Sequence, residues 1–188
     1  MMQNKKIIGI TGGSGAGKSH ISEALRKRGF FVVDADAVAH ESINNKDCLA
    51  ELEKEFGKGV LKDGEIDRKM LGEAVFGNRE KLSRLNKITH KYILSDISDK
   101  INESGAETAF VDGAVLIESG MKCDAMIGVV ADRDIRKARI MKRDGITGEE
   151  AEKRLSSQQK DSFYYENCDL VIINNGGETD ISGILKMV

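Results

Sequence analysis

A glycine-rich octapeptide near the start of the chain carries the strongest chemical signal in the sequence. It matches the pattern G-x-x-x-x-G-K-[ST] and consists of Gly12, Gly13, Ser14, Gly15, Ala16, Gly17, Lys18 and Ser19. Glycines let the backbone turn tightly enough for several N–H groups to point at phosphate oxygens. In such a loop the lysine reaches the β- and γ-phosphates, and the serine hydroxyl ligates Mg²⁺. The motif therefore predicts a site for ATP and Mg²⁺.

Two carboxylates, Asp34 and Asp36, are predicted to lie beside this loop. A helix from about Lys18 to Arg28 would carry the chain roughly 16 Å away from the phosphates. A strand over Phe30–Asp34 would then bring it back, to the sheet edge where open α/β proteins bind ligands. Carboxylates there would repel a triphosphate unless they hold a metal or accept a proton. We interpret the pair as a general base or part of a metal shell; the alternative is a helix N-cap.

A third acid, Asp112, ends another apolar segment, Thr108–Asp112. An acid in this position is typical of a Walker B strand, where it organises Mg²⁺ through water. An aspartate in an ordinary turn at the end of a strand is the alternative interpretation.

A basic segment follows a later strand: six of the eleven residues from 133 to 143 are Arg or Lys. Arginines at this sheet edge could stabilise charge on a transferring phosphoryl group. A second helical stretch, Thr147–Gln159, follows, with Arg154 and Gln158 expected on one face. We interpret residues of about 133–160 as a lid that closes over ATP and excludes water. The alternative is a solvated helix face.

The elements that must position these side chains alternate between short apolar strands and longer helical patterns. The predicted strands are Lys6–Thr11, Phe30–Asp34, Thr108–Asp112, Ala125–Ala131 and Asp169–Asn174. This alternation predicts an α/β fold with a parallel sheet covered by helices on both faces. We expect a single domain, with a core of residues 1–36 and 107–188 and a helical insertion over about 37–106. Asp67 could cap a helix in that insertion, and residues 62–65 read as a turn.

The composition narrows the classes of partner. The net charge is −2, so no bulk basic field indicates nucleic acid or an anionic membrane. No signal peptide or membrane-spanning stretch is evident, and we expect a cytoplasmic protein. The three cysteines are widely spaced and are interpreted as reduced thiols.

Taken together, the motifs resemble one family. The stretches IIGITGGSGAGKS, VVDADAVAHE, LNKITHKYI, VDGAVLIESG, IMKRDGIT and SQQKDSFYYENCDLVIINNG, in this order, are similar to those of dephospho-CoA kinases. The resemblance implies a three-layer α/β/α P-loop kinase with a five-stranded parallel sheet, a helical substrate-binding insertion and a lid. It implies phosphorylation of the ribose 3′-hydroxyl of dephospho-CoA by ATP, the last step of coenzyme A synthesis.

The resemblance also implies roles for individual residues. Asp36 would accept the proton of the attacking hydroxyl, and Arg143 would be the lid arginine on the transferring phosphoryl group. Lys18 and Ser19 keep their phosphate and Mg²⁺ roles. Further positions matching the family's substrate-binding residues are Arg68, His90 and Glu118.

The sequence departs from the family pattern at three positions. His20 stands where the family usually has threonine, so a hydroxyl near the α-phosphate is lost and the nucleotide contact there would fall to the backbone. Lys91 and Ala114 replace prolines, which loosens the backbone without removing a reactive group.

Two other functions stay open: another P-loop nucleoside, nucleotide or small-molecule kinase, or a non-catalytic nucleotide-binding switch. We expect a monomer or a weak homo-oligomer.

Overall fold

The computed structural model describes residues 5–177 and 180–188. The chain divides into two compact units, one formed by residues 1–34 and 104–188 and the other by residues 35–103. Among the helices of the described residues, none is both long and apolar enough to cross a membrane.

The secondary structure follows the predicted alternation. The strands are β1 (Lys6–Thr11), β2 (Phe31–Asp34), β3 (Leu61–Lys62), β4 (Glu65–Ile66), β5 (Thr108–Asp112), β6 (Ala125–Val130) and β7 (Leu170–Ile173). The helices are α1 (Lys18–Lys27), α2 (Ala35–Ser42), α3 (Lys46–Phe56), α4 (Arg68–Val75), α5 (Arg79–Glu103), α6 (Arg133–Asp144), α7 (Gly148–Ser156), α8 (Asp161–Asn167) and α9 (Ser182–Leu185), and a short 3₁₀ turn spans Lys58–Val60.

The first unit is built on a five-stranded parallel sheet in the order β2-β5-β1-β6-β7. All five predicted strands are present, with ends within one residue of the predicted ones. The strands are near-continuous apolar runs because helices cover the sheet, and Ile8, Phe110 and Ile127 are fully buried. The predicted α/β fold with a five-stranded parallel sheet is confirmed.

Helix α1 packs one apolar stripe onto this sheet. Ile21 and Leu25, four residues apart, are fully buried in the same core cluster as Ile8 and Ile10. The helix ends one residue earlier than predicted, at Lys27, and Gly29 follows with a φ of 84°. A glycine in this left-handed conformation is a common stop after a helix. At its other end, α1 begins at Lys18 and is connected to β1 by the glycine-rich loop.

The second unit is helical, with one short hairpin. Antiparallel β3 and β4 are joined by the predicted turn at Asp63-Gly64. Asp67 caps α4 as predicted, because its side chain accepts hydrogen bonds from the N–H groups of Lys69 and Met70. The long helix α5 packs against α2 and α3. A hydrogen bond of 2.5 Å from the buried Ser42 to Asp96 joins α2 to α5.

Candidate active site

The glycine-rich loop, Gly12–Ser19, turns tightly between the central strand β1 and the first turn of α1. Gly12 has a φ of 153°, and a Cβ on it would lie 2.3 Å from the carbonyl oxygen of Val129, so no other residue fits there. Gly17 is the N-cap of α1 and supplies no side-chain cap, and the first turn of α1 contains no acid. The helix therefore keeps its positive N-terminal end available to an anion.

Lys18 folds back across the loop, and its Nζ donates a hydrogen bond to the carbonyl oxygen of Gly12 at 2.8 Å. Ser19 lies in the first turn of α1 with an exposed side chain. The imidazole of His20 is also exposed, and its backbone N–H donates to the carbonyl oxygen of Gly17 at 3.1 Å. An ammonium group and a hydroxyl are thus both presented at a helix N-terminus, the arrangement that suits a nucleotide phosphate chain with its cation.

On one side of β1 lie β5 and then β2, and each of these two strands ends in an aspartate. Asp34 and Asp112 are paired in the β2–β5 register, and Ile10 of β1 is paired with Asp112. One oxygen of Asp112 accepts a hydrogen bond of 2.6 Å from the fully buried hydroxyl of Ser22 on α1. Asp36 follows Asp34 by two residues, in the first turn of α2, and its side chain is exposed.

A buried arginine of α6 holds the turn of the loop. The side chain of Arg136 is 8% exposed, and its Nε donates to the carbonyl oxygen of Ser14 at 3.0 Å. Its Nη2 donates to Oε1 of Gln158 at 2.7 Å, and this oxygen also accepts from the N–H of Ser14 at 2.9 Å. We call Arg136 and Gln158 the Ser14 clamp. Both the N–H and the C=O of Ser14 are bound by this pair.

A second arginine of α6, Arg139, holds the other half of the loop. Its Nη1 donates to the carbonyl oxygens of Gly15 at 3.1 Å and Ala16 at 3.3 Å, and to that of Asn174 at 3.0 Å. The side-chain amide of Asn174 donates in turn to the carbonyl oxygen of Gly17 at 3.4 Å. The carbonyl groups of Gly15, Ala16 and Gly17 thus accept hydrogen bonds from a cation and an amide.

A third arginine of α6, Arg143, is the exposed member of the row. Its Nη2 donates to the hydroxyl of Ser14 at 3.1 Å, while its side chain is 60% exposed. Asp144 accepts from Arg143 Nε at 2.7 Å and Nη2 at 2.9 Å, and also from Arg154. The hydrogen bond from Arg143 is the main reason why the pKa of Asp144 is lowered to about 2. Because the Arg143 side chain is itself exposed, it can exchange these partners for a phosphate group.

A cavity of about 330 Å³ adjoins the loop. It is lined by Gly12, Gly13, Ser14, Ala114, Val115, Glu118, Ser157, Gln158, Gln159 and Tyr164. Its volume is at the lower end of the range for small-molecule sites. Glu118, which sequence analysis assigned to substrate binding by resemblance, therefore lies in the same cavity wall as the loop residues.

The comparisons with known proteins agree with this geometry. The family model for dephospho-CoA kinase matches residues 6–180. The chain belongs to the dephospho-CoA kinase family. A curated dephospho-CoA kinase from Fusobacterium nucleatum is 38% identical over 178 residues, covering 93% of this chain and 92% of that protein.

Two solved structures of similar proteins cover nearly the whole chain. The structure of TT1252 from Thermus thermophilus has a TM-score of 0.82 and 30% identity, over 97% of this chain and 95% of that one. The dephospho-CoA kinase from Campylobacter jejuni has a TM-score of 0.56 and 28% identity, over 92% of this chain and 90% of that one.

Two of the residues that the family resemblance assigns to the substrate, Arg68 and His90, belong to the second unit. Arg68 is the first residue of α4 and is exposed, and His90 is half-buried in the middle of α5.

The three cysteine thiols are poor nucleophiles, because burial raises the pKa of each to about 11. They are Cys48, Cys123 and Cys168.

One prediction about the lid segment was wrong. Helix α7 ends at Ser156, so Gln158 lies beyond it and does not share a helical face with Arg154. The Gln158 side chain, outside the helix, accepts a hydrogen bond from the N–H of Ser14.

Sequence analysis missed the loop-holding roles of Arg136, Arg139, Gln158 and Asn174. A signal was present in the spacing of the first two with Arg143, since residues at i, i+3 and i+7 lie on one face of a helix. Asn174 directly follows β7, at the same edge of the sheet as the loop. Nothing in the sequence distinguished Gln158 from its neighbour Gln159.

Proposed function

We propose that this chain transfers the γ-phosphate of ATP to the ribose 3′-hydroxyl of dephospho-CoA, giving CoA and ADP in the last step of coenzyme A biosynthesis. The observation that carries the proposal is the phosphate loop with its uncapped helix end and inward Lys18, in a chain that matches the dephospho-CoA kinase model over residues 6–180. The cytoplasm, where ATP is abundant, is the proposed location.

In the proposed mechanism the backbone of loop residues 12–20 binds the phosphates of ATP through its N–H groups, except those of Ser14, Ala16 and His20, which donate to Gln158, Gly13 and Gly17. Lys18 leaves the Gly12 carbonyl oxygen for the β- and γ-phosphates, a short movement because its Nζ already crosses the loop. Arg143 moves from Ser14 and Asp144 to the transferring phosphoryl group, where its charge stabilises the equatorial oxygens. Catalysis by this chain is then mainly positioning and neutralisation of charge.

The residues present fit a magnesium ion. Mg²⁺ prefers oxygen ligands, and Ser19 and Asp112 offer a hydroxyl and a carboxylate at the helix N-terminus and at the end of the neighbouring strand. Ser22 orients the Asp112 carboxylate with its 2.6 Å hydrogen bond. When bound, the ion would neutralise charge on the phosphate oxygens.

Asp36 is proposed as the general base for the acceptor hydroxyl. It is exposed and lies two residues after the end of β2, the strand beside the one that ends in Asp112. Arg68, His90 and Glu118 are proposed to bind the acceptor. A cation, an imidazole and a carboxylate suit the phosphate and hydroxyl groups of dephospho-CoA.

The direct test is turnover. The purified protein is incubated with Mg-ATP and dephospho-CoA, and ADP and CoA are measured. We expect both products in equal amounts, with little ADP when the acceptor is omitted. No CoA from a folded protein would refute the proposal, and faster transfer to a nucleoside, a nucleotide or another small molecule would favour another kinase. Slow ATP hydrolysis without transfer would favour a nucleotide-binding switch.

The role of Asp36 is tested with Asp36→Asn, which keeps the size of the side chain and removes its basicity. We expect kcat to fall by about 10²–10⁴-fold, with little change in the KM for ATP. The matched control is Asp99→Asn, which alters an exposed acid near the end of the second unit's longest helix and should leave kcat unchanged. A decrease of less than threefold for Asp36→Asn would reject its role as the base.

A further inference from the structure

The orientation of the Gln158 amide is fixed by its neighbours. Its Oε1 accepts hydrogen bonds from the N–H of Ser14 and from Nη2 of Arg136. A backbone N–H and a guanidinium group can only donate, so the oxygen of the amide, and not its NH₂ group, must face them. The NH₂ group, with its two donors, is consequently presented on the side of Gln158 that the loop does not occupy.

The Ser14 clamp packs directly on the loop backbone at Gly13. A Cβ on Gly13 would lie 2.3 Å from Nη2 of Arg136 and 2.8 Å from Oε1 of Gln158. The side chain of Arg136 that supports Gln158 is 8% exposed. Gln158 therefore has a rigid base, and rigid support of a polar group is what precise recognition of a ligand requires.

The wall of the cavity that Gln158 lines is mixed, with polar groups beside the apolar side chains of Ala114 and Val115. Among the described residues in its wall none is lysine or arginine, and Glu118 contributes a carboxylate. Burial, helped by the negative charge of Glu118, raises the pKa of Tyr164, so its phenol is neutral at physiological pH. Such a wall suits a neutral group with several hydroxyls better than it suits a phosphate.

We propose that this cavity binds the sugar of the phosphate acceptor and that Gln158 is a substrate-binding residue within it. The amide NH₂ of Gln158 donates a hydrogen bond to the sugar hydroxyl next to the reacting one. The Glu118 carboxylate accepts a hydrogen bond from that hydroxyl. A hydroxyl has one proton to donate and lone pairs to accept with, so this pair of partners satisfies it fully. The inference rests on the proposed function, and it identifies the part of the acceptor that this wall of the site recognises.

The deciding variant is Gln158→Glu. It keeps an oxygen for the Ser14 N–H and for Arg136, but it replaces the NH₂ donors with a second oxygen. The sugar hydroxyl would then face two carboxylates and could satisfy only one of them. We expect the KM for dephospho-CoA to rise about tenfold or more, while the KM for ATP changes less than twofold and Tm does not fall. Asn102→Asp, which adds the same charge at an exposed position near the end of α5, should raise the KM for dephospho-CoA less than threefold.

A 2′-deoxy analogue of dephospho-CoA tests which hydroxyl is bound. With that acceptor, Gln158→Glu and the unmodified protein should differ less than threefold in KM. An unchanged KM for dephospho-CoA in Gln158→Glu would overturn the inference, as would an equal rise in the KM for ATP or an equal effect of Asn102→Asp. Any of these results would reduce Gln158 to a support of the loop.

Binding measured by calorimetry separates this inference from the proposed function. If the unmodified protein binds dephospho-CoA but does not phosphorylate it, the proposed function fails. A tenfold weaker binding of dephospho-CoA by Gln158→Glu would still support the cavity assignment in that case. If the unmodified protein does not bind dephospho-CoA at all, both fail.

Discussion

Replacing Arg136 with methionine tests whether a single buried guanidinium group holds the phosphate loop. Methionine keeps most of the apolar stem and removes the charge and the donors. The loss comprises two short hydrogen bonds, to Ser14 at 3.0 Å and to Gln158 at 2.7 Å, and a long contact of 3.4 Å with the half-exposed Asp161. Hydrogen bonds from a charged donor contribute about 1.5–3 kcal/mol each, and we assign almost nothing to the contact with Asp161.

The expected destabilisation is therefore about 3–5 kcal/mol, since the burial of Arg136 leaves little room for water to replace its donors. In a chain of this size that corresponds to a decrease in Tm of roughly 6–20 °C. ATP affinity should also fall about tenfold or more, because the Ser14 peptide groups are no longer held in the binding conformation.

The assay is thermal and urea denaturation followed by circular dichroism, with ATP binding measured by calorimetry well below Tm. Arg133→Met is the matched control, because Arg133 is on the same helix but is 54% exposed and pairs with Glu152 on the surface. It should cost less than about 1 kcal/mol. A loss below 1 kcal/mol for Arg136→Met, or equal losses for both variants, would refute the reasoning that Arg136 supports the loop.

Three further predictions follow from single contacts. The pKa of Asp144 is about 2 in the folded chain and about 3.9 in unfolded chains. The ionised carboxylate therefore stabilises the fold above pH 4, and this contribution is lost as the pH falls to 2. The Tm difference between the unmodified protein and Asp144→Asn should shrink over that interval. Ser22→Ala should raise the Mg²⁺ concentration for half-maximal activity about tenfold, because Asp112 loses its orienting donor, and an unchanged Mg²⁺ dependence would remove Asp112 from the proposed site. With a thiol reagent at pH 8, the folded protein should react slowly and the unfolded protein fully, at Cys48, Cys123 and Cys168.

The features that could be predicted from the sequence are those set by local pattern. The sequence of β1 followed by Gly12–Ser19 is compatible with few backbone conformations. One reason is that glycine is needed where the backbone packs against Val129. Apolar runs of four to six residues gave the strand positions within one residue, since a parallel sheet buries both faces of each strand. Asp67 was identified as a cap because capping depends on only three neighbouring residues.

The features that sequence analysis missed depend on contacts between distant segments. Arg133 and Arg136 look alike in a basic run, yet one is exposed and the other is buried against Ser14. Their difference arises only once α6 has packed beside the loop. Likewise Gln158 was placed on the wrong element: α7 ends at Ser156, and the contact of Gln158 with a residue 144 positions earlier in the chain leaves no signal in the local pattern.

The span of those contacts has a consequence for how the protein is made. The N–H of Ser14 is hydrogen-bonded to Gln158, its C=O to Arg136 and its hydroxyl to Arg143. These partners lie 144, 122 and 129 positions later in the chain. Segments so far apart in sequence come together late and slowly during folding. On the ribosome, a nascent chain that has emerged only as far as residue 130 contains the whole nucleotide motif but none of the side chains that brace it. Competence to hold ATP should therefore arise only near the end of synthesis, when α6 and the segment that follows α7 have docked.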